Sequence, residues 1–282
     1  MNADLHVHSR CSDGSAGLPA IIEYAKRASV DCLALCDHDS MMGVAKLERL
    51  GAAAGVQVIP GAELSAWDGA RNRPVHLLCY LPADRAALAR FCEATLRARR
   101  EQKRKIVEKL SALYPIRWED VLFRARESAS VYANHIMSAL MDMGYTNQVI
   151  GPLSKELISP GGSCYEDVRY PGVRETLAAV RGCGGVAVMA HPGQFDSLEL
   201  AEELCAEGLL DGLELWHPRN TQPVQRRIGE LAARYGLVCT GGSDFHGGFA
   251  GHPHPIGAAR CGEEAVRRLL DLAREKGETR FL

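Results

Sequence analysis

Short apolar runs, each followed by a segment of helical pattern, constrain this chain more than any other feature. They lie at residues 3–7, 31–36, 56–60, 75–80, 185–190, 212–216 and 237–240. Rich in Val, Leu and Ile, they have the character of strands buried on both faces. Pro19 opens a helix over 18–28, Ser40 can cap one over 41–54, and Pro171 opens one over 172–181. Strand-then-helix alternation predicts a parallel sheet, closed as a barrel or open and doubly wound. No run is followed by Gly-x-Gly-x-x-Gly or a phosphate-loop lysine, which weakens the nucleotide-fold alternative.

The alternation breaks between 84 and 170, which reads as helical throughout. Asp84 caps a long helix to 113, followed by helices over 118–127, 133–143 and 148–157. The expected organisation is a discontinuous barrel, 1–82 and 171–282, with 83–170 as a helical insertion capping the substrate. Pro160-Gly161-Gly162-Ser163 helps return the chain to the barrel.

Metal-capable side chains fall where the runs end. His6 and His8 close the first, with Asp13 in the next loop; Asp37-His38-Asp39 closes the second, and Glu63 follows the third. His191, His217 and Ser243-Asp244-Phe245-His246 close the last three, while His76 lies inside the fourth. Loops after strands are where barrel enzymes build their active sites. Each residue alone has an ordinary structural explanation: Asp-His-Asp can cap a helix, Glu63 can pair at the surface, and His76 can sit in a core. A carboxylate or imidazole after nearly every strand is harder to obtain by accident. His6, His8, Asp13, His38, Glu63, His76, His191, Asp244 and His246 are too many ligands for one four-coordinate zinc. They suit two or three ions sharing a carboxylate. Imidazole and carboxylate without thiolate fits Mn, Zn or Fe. Two ions ~3.5–4 Å apart suit phosphate-ester hydrolysis, because they activate water and neutralise phosphoryl charge.

These residues carry a resemblance. Asp4-Leu-His6-Val-His8-Ser, Cys-Ser-Asp13-Gly, Asp37-His38-Asp39, Gly61-Ala-Glu63, His191-Pro and Gly242-Ser-Asp244-Phe-His246 resemble, in order, the polymerase-and-histidinol-phosphatase (PHP) family. The resemblance implies a distorted (β/α)7 barrel with three divalent ions, manganese foremost and Zn or Fe as alternatives. It assigns His6, His8, Glu63 and Asp244 to one ion. Glu63 bridges to a second with His76 and His191, and Asp13, His38 and His246 hold the third. Family members acting on histidinol phosphate carry His in place of Asp13 and lack such an insertion. The insertion is similar to that of the branch containing a 3',5'-bisphosphate nucleotide phosphatase and a 5'-to-3' exoribonuclease. Where that branch has Gly-Arg-Pro-His, this chain has Tyr132-Ala133-Asn134-His135, so only His135 matches.

Residues 97–105 hold six bases and one acid in a chain of net charge -2. A solvated helix face would explain the run, but a dianionic substrate also needs cations away from the scissile phosphate. Lys103 and Arg104 are the expected substrate contacts, with Asn134 and His135 for a second phosphate or a base and Arg117 as a weaker candidate. Glu63 and His217 are the catalytic candidates, His217 as general acid or phosphate ligand. Asp37 and Asp39 are expected to orient ligands, and His252 and His254 to sit on a surface loop. The expected substrate is a small nucleotide, foremost a nucleoside 3',5'-bisphosphate losing its 3'-phosphate. Short 5'-phosphorylated RNA is the alternative, and a non-catalytic scaffold barrel the third reading. Overall charge does not support a long nucleic-acid track. The ten cysteines form no Cys-x-x-Cys pair and lie largely in apolar stretches. With no signal-peptide pattern or membrane-length apolar run, a cytoplasmic protein without an evident protein partner is expected.

Overall fold

The computed structural model describes residues 1–278. Its frame is a nearly closed barrel ordered β7-β6-β5-β4-β3-β2-β1-β8. Strands β1 (Asn2–Val7), β2 (Cys32–Leu35) and β3 (Gln57–Asp68) run parallel, connected by α1 (Leu18–Arg27) and α2 (Val44–Ala54). Strand β4 (Arg73–Tyr80) is antiparallel to β3 and to β5 (Val186–Met189). The parallel order resumes with β6 (Gly212–Trp216) and β7 (Val238–Gly241). A parallel bridge between Val7 and Phe245, with the His8 amide donating to the Phe245 carbonyl at 3.0 Å, draws the two sides together. The two-residue β8 (Cys261–Gly262) lies antiparallel on β1.

The antiparallel β4 corrects the expectation of parallel strands throughout. Only residues 69–72 separate β3 from β4. A parallel return needs a crossover of a dozen or more residues, so this link permits a hairpin alone. Two boundaries also move. Glu63 lies within the long β3 rather than after it. Helix α2 starts at Val44 after Gly43, while the Ser40 hydroxyl accepts from the Met42 amide and caps no helix.

Descending β4 also explains α3 (Arg85–Leu110), which starts at the end of the barrel opposite the loops and climbs its side. The Asp84 carboxylate caps it by accepting from the Ala87 amide. At 26 residues it rises roughly 39 Å. Leu88 and Cys92, early in α3, pack with the barrel's outer core against α7 (Val173–Gly182). Ile106, Val107 and Leu110, late in α3, pack in a separate cluster with α4 (Trp118–Arg124), α5 (Ala133–Asp142) and α6 (Pro152–Leu157). Helices α8 (Leu198–Ala206), α9 (Gln222–Tyr235) and α10 (Glu263–Glu278) complete the shell. Among the described residues, no helix is long and apolar enough to cross a membrane.

Strand alternation sorts the core. Cys32, Ala34 and Cys36, Ile59, Leu78 and Tyr80, Val186 and Val188, and Val238 form one apolar cluster. Their neighbours of opposite parity, such as Leu33, Leu35, Leu64, Leu77 and Leu213, pack under the helices. Since the side-chain period is two, His38, Glu63, His76 and Glu214 share the interior face above that apolar floor. On β1 the pairing is irregular between Asp4 and Val7, and the parity changes there. Leu5 belongs to the floor, Val7 to the outer core, and His6 and His8 to the mouth.

Candidate metal centre

Every residue expected as a metal ligand arrives at the barrel mouth. Three groups of donor atoms are close enough to hold ions: His8, Asp13, His38 and His246; His6, His8, Glu63 and Asp244; and His38, Glu63 and His76. Glu63 lies at the centre, almost fully buried. Its Oε2 is 3.4 Å from His6 Nε2, 3.3 Å from His8 Nε2 and 3.1 Å from His38 Nδ1. Its Oε1 is 2.8 Å from both His76 Nδ1 and His191 Nε2. One carboxylate thus addresses a separate set of imidazoles through each oxygen. Asp244 Oδ1 stands 3.3 Å from His8 and 3.6 Å from His6, and Asp13 Oδ1 stands 3.3 Å from His246. His76, anomalous as a residue inside a strand, reaches the mouth because β4 enters from there.

The electrostatics fit cations. Burial alone would raise the Glu63 carboxyl, but the imidazoles of His76, His38, His6 and His191 hold it well below the usual carboxylate range. Asp13 and Asp244 are likewise held far down against burial by the histidines around them. Burial opposes charge on His8, yet Asp244 and Glu63 push it up to about 10. Burial dominates at His38, which falls to about 3. His6 Nε2, both His8 nitrogens and His38 Nδ1 are buried without a hydrogen-bond partner. Buried polar atoms normally have partners; orphaned imidazole nitrogens converging with ionised carboxylates are what metal ligation would satisfy. The donor set fits divalent ions.

The backbone is specialised here too. Asp39, His191 and Asp244 all have positive φ without being glycine, at 53°, 26° and 52°. Gly242 packs so tightly on His6 that an added Cβ would lie 2.3 Å from the His6 Cβ. Only glycine lets β7 approach β1 this closely.

A supporting shell surrounds these candidate ligands. Asp4 accepts from the Ser243 amide and hydroxyl and from the Gly257 amide. Asp37 accepts from Ser9 and Ser12, and Asp39 from the Ser65 amide and hydroxyl. Glu214, which sequence reasoning missed, is fully buried. Its Oε1 is 2.9 Å from His6 Nδ1, and its Oε2 accepts from the His191 amide at 2.7 Å. A carboxylate on the far nitrogen of a metal-binding histidine fixes its tautomer and orientation. The available signal was a lone acid inside an apolar strand.

His217 is buried with Nε2 3.5 Å from Asp244 Oδ2, and its Nδ1 accepts from the Arg219 amide at 3.1 Å. The neutral ring must then carry its proton on Nε2, which makes that nitrogen a donor rather than a ligand. His135 is buried, and burial pulls its imidazole down to about 4. It accepts from the Tyr132 amide at Nδ1 and so keeps its proton on Nε2. Asn134 donates to the Asp13 carbonyl at 2.5 Å, and its Oδ1 is buried without a partner. Tyr132 Oη donates to the His38 carbonyl at 2.8 Å.

The basic helix divides. Arg104, expected at the substrate, is 47% exposed and engaged by Glu101 and Glu108. No contact joins it to the ligand cluster among the described residues. The acids three positions before and four after it hold it on the outer face. Arg117 is likewise exposed and paired with Asp120. Arg99, which sequence reasoning passed over, points inward. It is 7% exposed and donates to Asp39 and to the Ser65 hydroxyl. Leu88, Cys92, Thr95, Arg99, Gln102 and Ile106 form the buried stripe of α3, so helical periodicity carried the signal. Lys103, half-buried, follows one turn later on the same side.

Comparison with known proteins gives a consistent result. The family description PHP domain matches residues 4–178. A phosphoribosyl 1,2-cyclic phosphate 1,2-diphosphodiesterase of Eggerthella lenta is 41% identical over 256 residues, covering 90% of this chain and 97% of the relative. A 3',5'-nucleoside bisphosphate phosphatase of Chromobacterium violaceum is 28% identical, covering 87% of each chain. The crystal structure of a Bifidobacterium adolescentis protein assigned as a metal-dependent phosphoesterase superposes with a TM-score of 0.88 at 30% identity, covering 96% of each chain.

Proposed function

The chain belongs to the PHP family of metal-dependent phosphoesterases, and on that premise we propose that its substrate is a small ribose phosphate bearing a second phosphoryl group. The foremost candidate is a phosphoribosyl 1,2-cyclic phosphate. The observation that carries it is the 41% identity, sustained over nearly the whole of both chains, to a relative named for that substrate. The nucleoside 3',5'-bisphosphate expected from sequence is the second reading, supported by the more distant phosphatase. Both names describe a ribose with two phosphoryl groups.

Three divalent ions, manganese foremost, would be held by the ligands in the sets expected from the family. When bound, such ions lower the pKa of a water and neutralise charge on the phosphoryl oxygens. The chain's own residues do the rest. Glu63 keeps its carboxylate ionised and divides it between the two sets of histidines. Glu214 holds the His6 ring and the His191 backbone together. His217 presents its Nε2 proton to a phosphoryl oxygen beside Asp244, as a phosphate contact or as general acid. His135 offers its Nε2 proton from the cap formed by 83–170, and the free Asn134 oxygen can accept from a sugar hydroxyl.

The direct test follows three compounds by phosphorus NMR with manganese-loaded protein: 5-phosphoribosyl 1,2-cyclic phosphate, adenosine 3',5'-bisphosphate and a short 5'-phosphorylated RNA. Fastest loss of the cyclic phosphate is expected. Turnover of RNA alone would reject the proposal.

A further inference from the structure

We infer that Arg99 and Lys103, on consecutive turns of α3, form the binding subsite for the second phosphoryl group, the one not hydrolysed. The inference rests on the substrate reading above and gives it a location.

The other bases of the 97–105 run are engaged or turned outward. Arg97 pairs with Glu93, Arg104 with Glu101 and Glu108, and Arg100 lies over the Trp118 ring at 5.7 Å. Lys105 is exposed. Arg99 faces the barrel, and Lys103, four residues on, shares that face.

Arg99 is held in place while part of its donor set stays unused. The Tyr132 and Tyr170 rings flank its guanidinium at 4.7 and 5.3 Å. Nη2 makes the bonds to Asp39 and Ser65, whereas Nε is buried without a partner. Among the described residues, no hydrogen bond uses Nη1. A guanidinium held in place at Nη2, with Nη1 left unengaged, is pre-organised to donate to an oxyanion.

The charges do not balance. Asp39 is the carboxylate on Arg99. Lys103 Nζ donates to the Gln102 amide oxygen at 2.8 Å, and among the described residues no carboxylate pairs with it. Burial, and then Arg99, pull its ammonium down to about 7. Arg99 and Lys103 thus share one carboxylate in a sheltered place, and an incoming phosphate would supply the anion that keeps Lys103 protonated.

The location suits a substrate already anchored at the ions. Ser65 lies two residues beyond Glu63 and pairs with His76 across the hairpin. Asp39 follows His38, whose carbonyl receives the Tyr132 hydroxyl. Arg99 therefore borders the ligand cluster. Lys103 stands four residues further along α3, about 6 Å of rise, a step that a ribose can span.

The test compares 5-phosphoribosyl 1,2-cyclic phosphate with ribose 1,2-cyclic phosphate, which lacks the distal group. Wild type should favour the first in kcat/KM by on the order of 100-fold, the range expected for a charge-assisted contact. Lys103→Gln should cut that preference at least tenfold, and Arg97→Gln should leave it intact. Arg99→Lys, which retains a charge in case larger changes unfold the chain, should also cut it. An undiminished preference in Lys103→Gln overturns the subsite. The second readout is calorimetric binding of ribose 5-phosphate to metal-stripped protein, weakened at least tenfold by Lys103→Gln. If neither cyclic compound is turned over, the substrate reading fails while this titration still decides the subsite: weakened binding supports it, and unchanged binding overturns it.

Discussion

The barrel mouth and the helical insertion carry the same kinds of charged residue but fix them in different ways. At the mouth the strand pleat dictates where each ligand points, and the shared floor of apolar residues holds the strands in register. In the insertion a helix presents its bases in every direction, and packing of one stripe decides which turn inward. Hence Glu63 touches five histidines, whereas among the described residues Arg99 alone of the bases at 97–105 contacts the residues around the cluster. Strand position is close to a statement of direction; helix position becomes one only when the packing face is known.

Substitutions break this comparison at different depths. The largest effect should come from Glu63→Ala, which removes a ligand shared between two groups. Loss of activity on the order of 10³-fold or more is expected, since charge stabilisation at the reacting phosphate goes with it. Glu214→Gln should come next. It leaves every ligand in place and disturbs only the orientation of His6 and His191, so metal affinity should fall by about 10–100-fold. Equal metal affinity in that variant would mean that the supporting shell is passive. His217→Asn should lower kcat more than it raises KM if its Nε2 proton meets a phosphoryl oxygen in the transition state. At the small end, Arg104→Gln should change kcat/KM less than about twofold, because exposed pairs contribute little. A large loss there would restore the sequence-based expectation for Arg104.

Metal uptake also has a predictable pH dependence. His6 and His8 are raised by their carboxylate neighbours, His8 to about 10, so the pair favours its protonated forms before an ion arrives. Ligation requires neutral imidazole, so binding must expel those protons and weaken as pH falls. Calorimetry in buffers of different ionisation enthalpy should show net proton release; none would contradict this charge arrangement.

The difference between the regions also explains what could be read from sequence. The barrel strands were legible because a buried parallel strand is a short apolar run, and the gathering of His, Asp and Glu side chains at the mouth because they cluster after such runs. The hairpin return of β4 was readable in principle from the short 69–72 link, but the count of apolar runs concealed it. Glu214 was passed over because it precedes the strand end by two residues, where side chains are normally core. Arg104 was preferred to Arg99 because local charge density does not report the packing face. The stripe from Leu88 to Ile106 does report it, and it places Arg99 inside.

On the proposed ligand sets, Glu63 is shared between ions rather than bound to one. Elemental analysis of wild type and Glu63→Gln, both purified under manganese saturation, tests it most directly. More than two ions per wild-type chain are expected, with loss of more than one on the single substitution. One ion in the wild type, or loss of no more than one in the variant, would contradict it.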